Sequence, residues 1–446
     1  MSAAPPLPPV SDGDTIVAEA TPPGQGGLSL VRLSGPQAWN IAGQLFAPRG
    51  RAGLSVRRCT IGDLQLEGGR DRATATAFRA PSSPTGEDVV ELAVHGSPWL
   101  VQAVVEAAVE AGARCARPGE FTHRAWRSGK LTLTEAEALD SLIRADSPAA
   151  VREAMRQHGG SIDEAAARLE SELVEALAEL EAAVDFHDDS QGQRRIDESL
   201  GRVRKSSAAW LSAGRNRALS TGLRVVLSGP PNAGKSRLFN ALLADERAIV
   251  TAEAGTTRDV LEGRLVLSDL VVTLVDTAGQ REATSEAEAE GVRRSQRERE
   301  RADLVLEVRE VEDQAPGWPE GGEHWRVLNK VDLLTGASST ADESGPRRVS
   351  AATGEGVDAL REALASRARE GVSGEAPVLL VARQREVAGR LQEHLDRAVE
   401  DRRVGQPEEL VAESVRRALD ELAELRGRVD DEDVYGRIFS RFCVGK

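Results

Sequence analysis

The loop GPPNAGKS (229–236) spaces two glycines five residues apart and places a lysine and a hydroxyl directly after the second, a set of residues suited to holding phosphate. It follows the apolar run LRVVLSG (223–229) and precedes RLFNALL, so it lies between a strand and a helix. That is the setting the GxxxxGKS/T pattern requires. Gly229 and Gly234 let the chain wrap a phosphate group, and N–H groups along Asn232, Ala233, Gly234, Lys235, Ser236 and Arg237 face negative charge. Lys235 brings a cation to the outer phosphates, and the Ser236 hydroxyl can ligate Mg²⁺.

Four further motifs follow in a set order. DTAG (276–279) closes the apolar run VVTLV, so Asp276 can hold Mg²⁺ through water while the Gly279 N–H meets a terminal phosphate. AGTTRD (254–259) precedes it and offers Thr256 and Thr257. NKVD (329–332) ends the run WRVLNK and supplies Asn329, Lys330 and Asp332. The Asp332 carboxylate can accept from the N1–H and exocyclic amine of guanine, whereas adenine leaves it unpaired. SAATG (350–354) supplies Ser350 and Ala351 for a loop that supports the base through backbone amides. The four motifs, each at a strand end, specify GTP. Gln280 directly follows DTAG, where Ras-like GTPases keep a water-orienting glutamine; an ordinary polar residue is the equal alternative.

These residues need elements to position them. Residues 220–372 alternate strand and helix patterns, an α/β texture. Around them the spacing turns helical. Ile162, Leu169, Leu173, Leu177, Leu180 and Val184 share one face, continued by Ile196, Leu200 and Val203 after HDDSQGQ. Val387, Leu391, Leu395 and Val399 recur every four residues, and Val415, Leu419 and Leu422 follow. Thr134 and Glu137 have capping-box spacing. The expected architecture is an α/β P-loop GTPase domain (220–372) inserted in an all-α helical domain (131–219 and 373–446). Three consecutive domains are the alternative. Before them, DTIVAEA, LSLVRLSG and DVVELAVHG read as strands and SPWLVQAVVEAAVEAG as a helix, an α+β domain over 1–130.

Composition bounds the classes available. The 446 residues suffice for two or three cores, and no apolar run is long enough to cross a bilayer, so no membrane partner is expected. Cys59, Cys115 and Cys443 lie too far apart for a metal motif or disulfide framework, which fits a reducing cytoplasm. The net charge of −15 argues against coating nucleic acid by bulk electrostatics.

Taken together, these residues resemble the MnmE (TrmE) family of tRNA modification GTPases. DTIVAEATPPGQGGLSLVRLSG (14–35), TGEDVVEL with HG (85–96), RPGEFTHRAW, GKLTLTEAEALDSLI, AGTTRD and the terminal IFSRFCVGK (438–446) carry the likeness. The resemblance implies a homodimer built on a folate-binding-like N-terminal domain. It implies a flavoprotein partner, MnmG, which carries FAD, and modification of the tRNA wobble uridine to the aminomethyl or 5-carboxymethylaminomethyl form. The carbon would come from 5-formyl- or methylene-tetrahydrofolate, with GTP, Mg²⁺ and K⁺ as further cofactors. By motif, K⁺ would lie among Asn232, Thr251, Glu253 and Thr256, and Thr257 would join Ser236 on Mg²⁺. Glu288 matches the acidic residue that orients the attacking water. Arg32, Glu91 and Lys130 match folate contacts, with Lys446 closing that pocket. Cys443, in a tail whose Phe442 and Val444 suggest packing into the body, is either a nucleophile or a small buried thiol. Departures from the family pattern are Gln280 for an apolar residue, HGS (95–97) for HGG, and no aromatic before TGED. A GTP-gated ribosome-assembly binding module is the alternative, though it has no need of these two chain ends.

Overall fold

The computed structural model describes residues 13–50, 53–185, 190–214, 222–244, 261–276, 296–312, 323–334, 346–370 and 378–427, with 438, 439, 442 and 445. The chain divides into two compact units, Met1–Asp140 with Ala423–Lys446, and Ser141–Leu422.

In the first unit, β1 (Ile16–Glu19), β2 (Gly26–Ser34), β3 (Phe46–Pro48), β4 (Thr60–Leu66), β5 (Gly69–Phe78), β6 (Val89–Gly96) and β7 (Arg114–Cys115) form one sheet. Its order is β3-β4-β5-β6-β2-β1-β7, and only the β1–β7 pair is parallel. Alternation along β2 sorts Val31 and Leu33 to one face, against α1 (Ala38–Leu45) and α2 (Pro98–Glu110). Arg32 and Ser34 point to the other, where Ile16 and Ala18 pack on Phe121 of α3 (Glu120–Arg127). The β4–β5 hairpin has no apolar run to mark it, because DLQLEGGRDR puts polar side chains on both faces.

Helix α4 (Leu133–Arg144) opens two residues earlier than the capping-box reading. Glu135 accepts from the Thr132 N–H at 2.8 Å and Thr132 Oγ1 accepts from the Glu135 N–H at 3.2 Å, so the box is Thr132/Glu135 and not Thr134/Glu137. Thr134 and Glu137 are buried instead.

The second unit holds helices α5 (Pro148–His158), α6 (Ser161–Asp185) and α7 (Ser190–Gly214), and then a sheet. Its strands are β8 (Leu223–Ser228), β9 (Leu261–Leu267), β10 (Leu270–Asp276), β11 (Leu304–Glu310), β12 (His324–Asn329) and β13 (Arg347–Arg348). The order is β13-β12-β11-β8-β10-β9, parallel apart from β9. Helix α8 (Lys235–Leu243) follows β8, residues 296–301 are helical (α9), and α10 (Val357–Arg369) packs on the sheet. Helices α11 (Ala382–Arg403) and α12 (Glu408–Leu425) return to the earlier bundle. Ser207 on α7 donates to Gln392 on α11 at 2.6 Å, and Arg416 on α12 pairs with Glu181 on α6 at 2.8 Å. Helices on both sides of the α/β segment thus build one bundle, and the α/β domain is an insertion. Among the described residues, no helix is long and apolar enough to cross a membrane.

Candidate functional site

The chain leaves β8 toward β9 and β10 on one side and returns to β11 on the other, so the topological switch point lies at the C-terminal end of β8. Open α/β sheets bind ligands at that point. The phosphate loop occupies it. Gly229 has φ +135°, and a Cβ there would lie 2.0 Å from the Val308 carbonyl oxygen. Gly234 has φ +83°, and its Cβ would lie 2.3 Å from Asn329 Nδ2. Both positions demand glycine, for conformation and for space. Asn232 also takes a left-handed φ of 66°. Ala233 is buried, while Asn232, Ser236 and Arg237 are exposed on the loop and the first turn of α8.

Lys235 curls back over the loop, its Nζ donating to the Gly229 and Pro230 carbonyls at 2.8 Å each. Burial lowers the Lys235 pKa from its ordinary value, opposed by the nearby Asp276 and Glu307 carboxylates. Asp276 is fully buried at the end of β10. A hydroxyl at Ser236 and a carboxylate at Asp276 are hard oxygen donors of the kind Mg²⁺ takes, and the glycine-lined cradle accommodates phosphate, so the residues present fit both groups.

Asn329 joins motifs far apart in sequence. Its Nδ2 donates to the Ala233 carbonyl at 2.9 Å, and its Oδ1 accepts from the Ala351 N–H at 3.0 Å. The phosphate loop, NKVD and SAATG are held by one side chain. Ser350 is fully buried, and its hydroxyl donates to Asp332 Oδ1 while accepting from the Ala352 and Thr353 N–H groups at 3.3 and 3.2 Å. The exposed Asp332 carboxylate is thereby aimed rather than free. Lys330, at φ 67°, pairs with Glu310.

The face of the N-terminal sheet that packs on α3, opposite α1 and α2, carries the other set. Arg32 and Glu91 face each other across β2 and β6, and the Arg32 Nη2 to Glu91 Oε1 distance is 2.8 Å. The Arg32 guanidinium lies 5.6 Å from the Phe121 ring centroid. Lys130 is exposed beside the Thr85–Gly86 turn, which Ser128 grips through a 2.7 Å hydrogen bond to the Thr85 carbonyl.

A network that motif reading missed lies beneath that face. Arg124, 4% exposed, donates to Asp14, Glu87 and Glu120, and Arg114 donates to Asp14 and Glu120. Burial works to raise the Glu120 carboxyl, but hydrogen bonds from Arg114 and the Arg117 N–H hold it below its usual range. Arg114 is pushed up in turn. The segment RCARPGEFTHR, which places Arg114, Glu120 and Arg124 within eleven residues, is the available signal.

The tail docks on the same unit. Phe439 packs on His123 with centroids 5.0 Å apart and on Phe442 edge-on at 5.2 Å. His123 also stacks on Trp126 at 5.6 Å. Phe442 and Gly445 are buried, which accords with a tail packed into the body. Gln280, Glu288, Cys443, Val444, Lys446, Thr251, Glu253, Thr256, Thr257 and Gly279 lie outside the described residues.

A family model described as the MnmE helical domain matches residues 133–443, and one described as the GTP-binding protein TrmE N-terminus matches residues 15–130. A tRNA modification GTPase MnmE of Rhodopseudomonas palustris is 43% identical over 449 residues, covering 97% of this chain and 99% of its own. That of Caulobacter vibrioides is 41% identical over 97% of this chain and 100% of its own. That of Halorhodospira halophila is 41% identical over 98% and 96% respectively.

Proposed function

The chain belongs to the MnmE family of tRNA modification GTPases, and from that premise we propose that it hydrolyses GTP in the service of tRNA modification. The observation that carries this reading is the Asn329 staple. It holds a glycine-hinged phosphate loop and the base loop beside Asp332, in a chain that carries both family segments.

The chemistry follows from positioning and charge. Backbone N–H groups from Asn232 to Arg237 and the Lys235 ammonium bind the phosphates. Asp332 selects guanine, with Ser350 and Ala351 behind it. Ser236, Asp276 and Thr257 are the residues that would hold Mg²⁺, which neutralises charge building between the β- and γ-phosphates. Gly279 would meet the γ-phosphate, and Glu288 or Gln280 would orient the attacking water. K⁺ among Asn232, Thr251, Glu253 and Thr256 would supply the charge that an arginine finger supplies elsewhere. The finer reading gives the chain four segments, 1–130, 131–219, 220–372 and 373–446. It makes the protein a cytoplasmic homodimer acting with the FAD-carrying MnmG on the tRNA wobble uridine. Arg32, Glu91, Lys130 and Lys446 would grip the tetrahydrofolate, and Cys443 would lie nearby.

Replacing K⁺ by Na⁺ is expected to slow steady-state phosphate release by about ten-fold; equal rates in the two salts remove the monovalent cation from the mechanism. The reading as a whole is tested by nucleoside analysis of tRNA from a strain lacking this protein. The wobble-uridine modification should disappear, and its persistence at the normal level overturns the role.

A further inference from the structure

Arg224 lies on β8, the strand that runs into the phosphate loop. Its Nη2 donates to two carboxylates at once, Glu262 Oε1 at 2.7 Å and Glu298 Oε2 at 2.5 Å. Its backbone is anchored too. The Arg224 N–H donates to Asp303 Oδ2 at 2.8 Å, and the Asp303 N–H returns to the Arg224 carbonyl at 2.9 Å.

The two carboxylates occupy telling places in the chain. Glu262 is on β9, shortly after AGTTRD, and Glu298 is on α9, after the segment that begins with DTAG and contains Glu288. Beside Glu298, Arg299 donates to Ser228 Oγ, one residue before Gly229, and to Glu307 Oε2 at 3.1 Å. Glu307 is buried on β11 in register with Ser228. The exits of both motif-bearing segments are therefore tied by charge to β8, the strand that leads into the phosphate loop.

Both bonds leave Nη2, whose two N–H groups a planar guanidinium holds in a fixed fork; an ammonium on a flexible stem is a point charge. Glu298 and Arg224 are mostly shielded, with side-chain exposures of 16% and 26%, so the bridge is less screened than a surface pair. Phosphoryl transfer depends on the placement of groups around the γ-phosphate, and a small misplacement from a remote change slows it strongly. Nucleotide affinity, by contrast, rests on the loop, Lys235 and Asp332, none of which Arg224 touches.

We propose that Arg224 is a positioning residue for GTP hydrolysis: by bridging Glu262 and Glu298 it fixes the chain beyond each motif-bearing segment against the phosphate-loop strand. This rests on the GTPase reading above. The test uses the full-length protein with Mg²⁺ and K⁺, measuring kcat, KM for GTP, the Kd for GDP and the melting temperature. Arg224→Gln is expected to lower kcat by about ten-fold while the GDP Kd stays within about two-fold. Arg224→Lys, with the charge but without the fork, should restore only a minor part of the loss. Glu262→Gln removes one exposed arm and should lower kcat by about three-fold with no change in melting temperature. Its effect should not add to that of Arg224→Gln. An unchanged kcat in both Arg224→Gln and Glu262→Gln overturns the proposal, as does a parallel loss of kcat, GDP affinity and melting temperature. If Arg224→Gln does not fold, Glu262→Gln alone decides. A wild-type protein that neither retains GDP nor hydrolyses GTP overturns the underlying GTPase reading instead.

Discussion

Asp332→Asn is expected to weaken GTP binding by about a hundred-fold or more and to make xanthosine triphosphate the better ligand. In the native protein the Ser350 hydroxyl holds the Asp332 carboxylate, which is left as an acceptor for the two donors on the guanine edge. An asparagine of nearly the same shape turns half of that edge into a donor. Guanine then meets donor against donor, and a buried mismatch of this kind costs the desolvation of groups that no longer pair. Xanthine carries a carbonyl where guanine has its amine, so the new amide can accept from N1–H and donate to that oxygen. The framework should be untouched, because Asn329 and not Asp332 holds the phosphate loop to Ala351. Competition binding of GTP and xanthosine triphosphate in Mg²⁺ measures the switch. Undiminished GTP affinity would refute the base-selecting role of Asp332.

The second large effect concerns stability. His123 is buried between Trp126 and Phe439, and its Nδ1 has no hydrogen-bond partner among the described residues. Burial, reinforced by the Arg127 and Arg124 charges and opposed by Glu120, pushes its pKa down from 6.5 to about 4. The folded protein therefore keeps this ring neutral where the unfolded chain protonates it. Stability from a depressed pKa is complete above pH 6.5 and is lost as pH falls toward 4. The loss amounts to about 3 kcal/mol, on the scale of 1.4 kcal/mol per pH unit. Asp14 and Glu120, whose carboxyls are held low, add their own losses only in and below the ordinary carboxylate range. The window from 6.5 to 4 thus belongs mainly to the imidazole. His123→Phe keeps an aromatic ring in the cluster and removes the proton. Calorimetric melts of the two proteins should diverge as pH falls from 7 to 4.5, with the variant holding its stability. Parallel decline across that range would show that His123 does not titrate in this environment.

The two expectations differ in how far they could be anticipated. Asp332 was evident at once, because NKVD ends an apolar strand. His123 sits in RPGEFTHRAW with nothing local to distinguish it; only the arrival of Phe439, more than three hundred residues later, makes it a buried ring. The helical faces of Ile162, Leu169, Leu173 and Leu180, and of Val387, Leu391 and Leu395, were equally readable and are buried as expected. The capping box was misplaced by two residues, since Thr132/Glu135 and Thr134/Glu137 have the same spacing and only the helix start separates them.

What the amino-acid order determined by itself is what short-range physics controls. Glycines at 229 and 234 permit the turn, a helix start aims N–H groups outward, and apolar spacing marks the faces that leave water. What the tertiary structure alone decided is which of these units meet. Asn329 reaches Ala233 and Ala351, Arg224 reaches Glu262 and Glu298, and Glu307 finds Arg299 beneath the loop. Arg224, Glu262, Glu298 and Glu307 each read as an ordinary surface charge until strand order brings a partner within about 3 Å. A buried charge is tolerable only where that partner arrives, and the order in which strands pair is a property of the whole sheet.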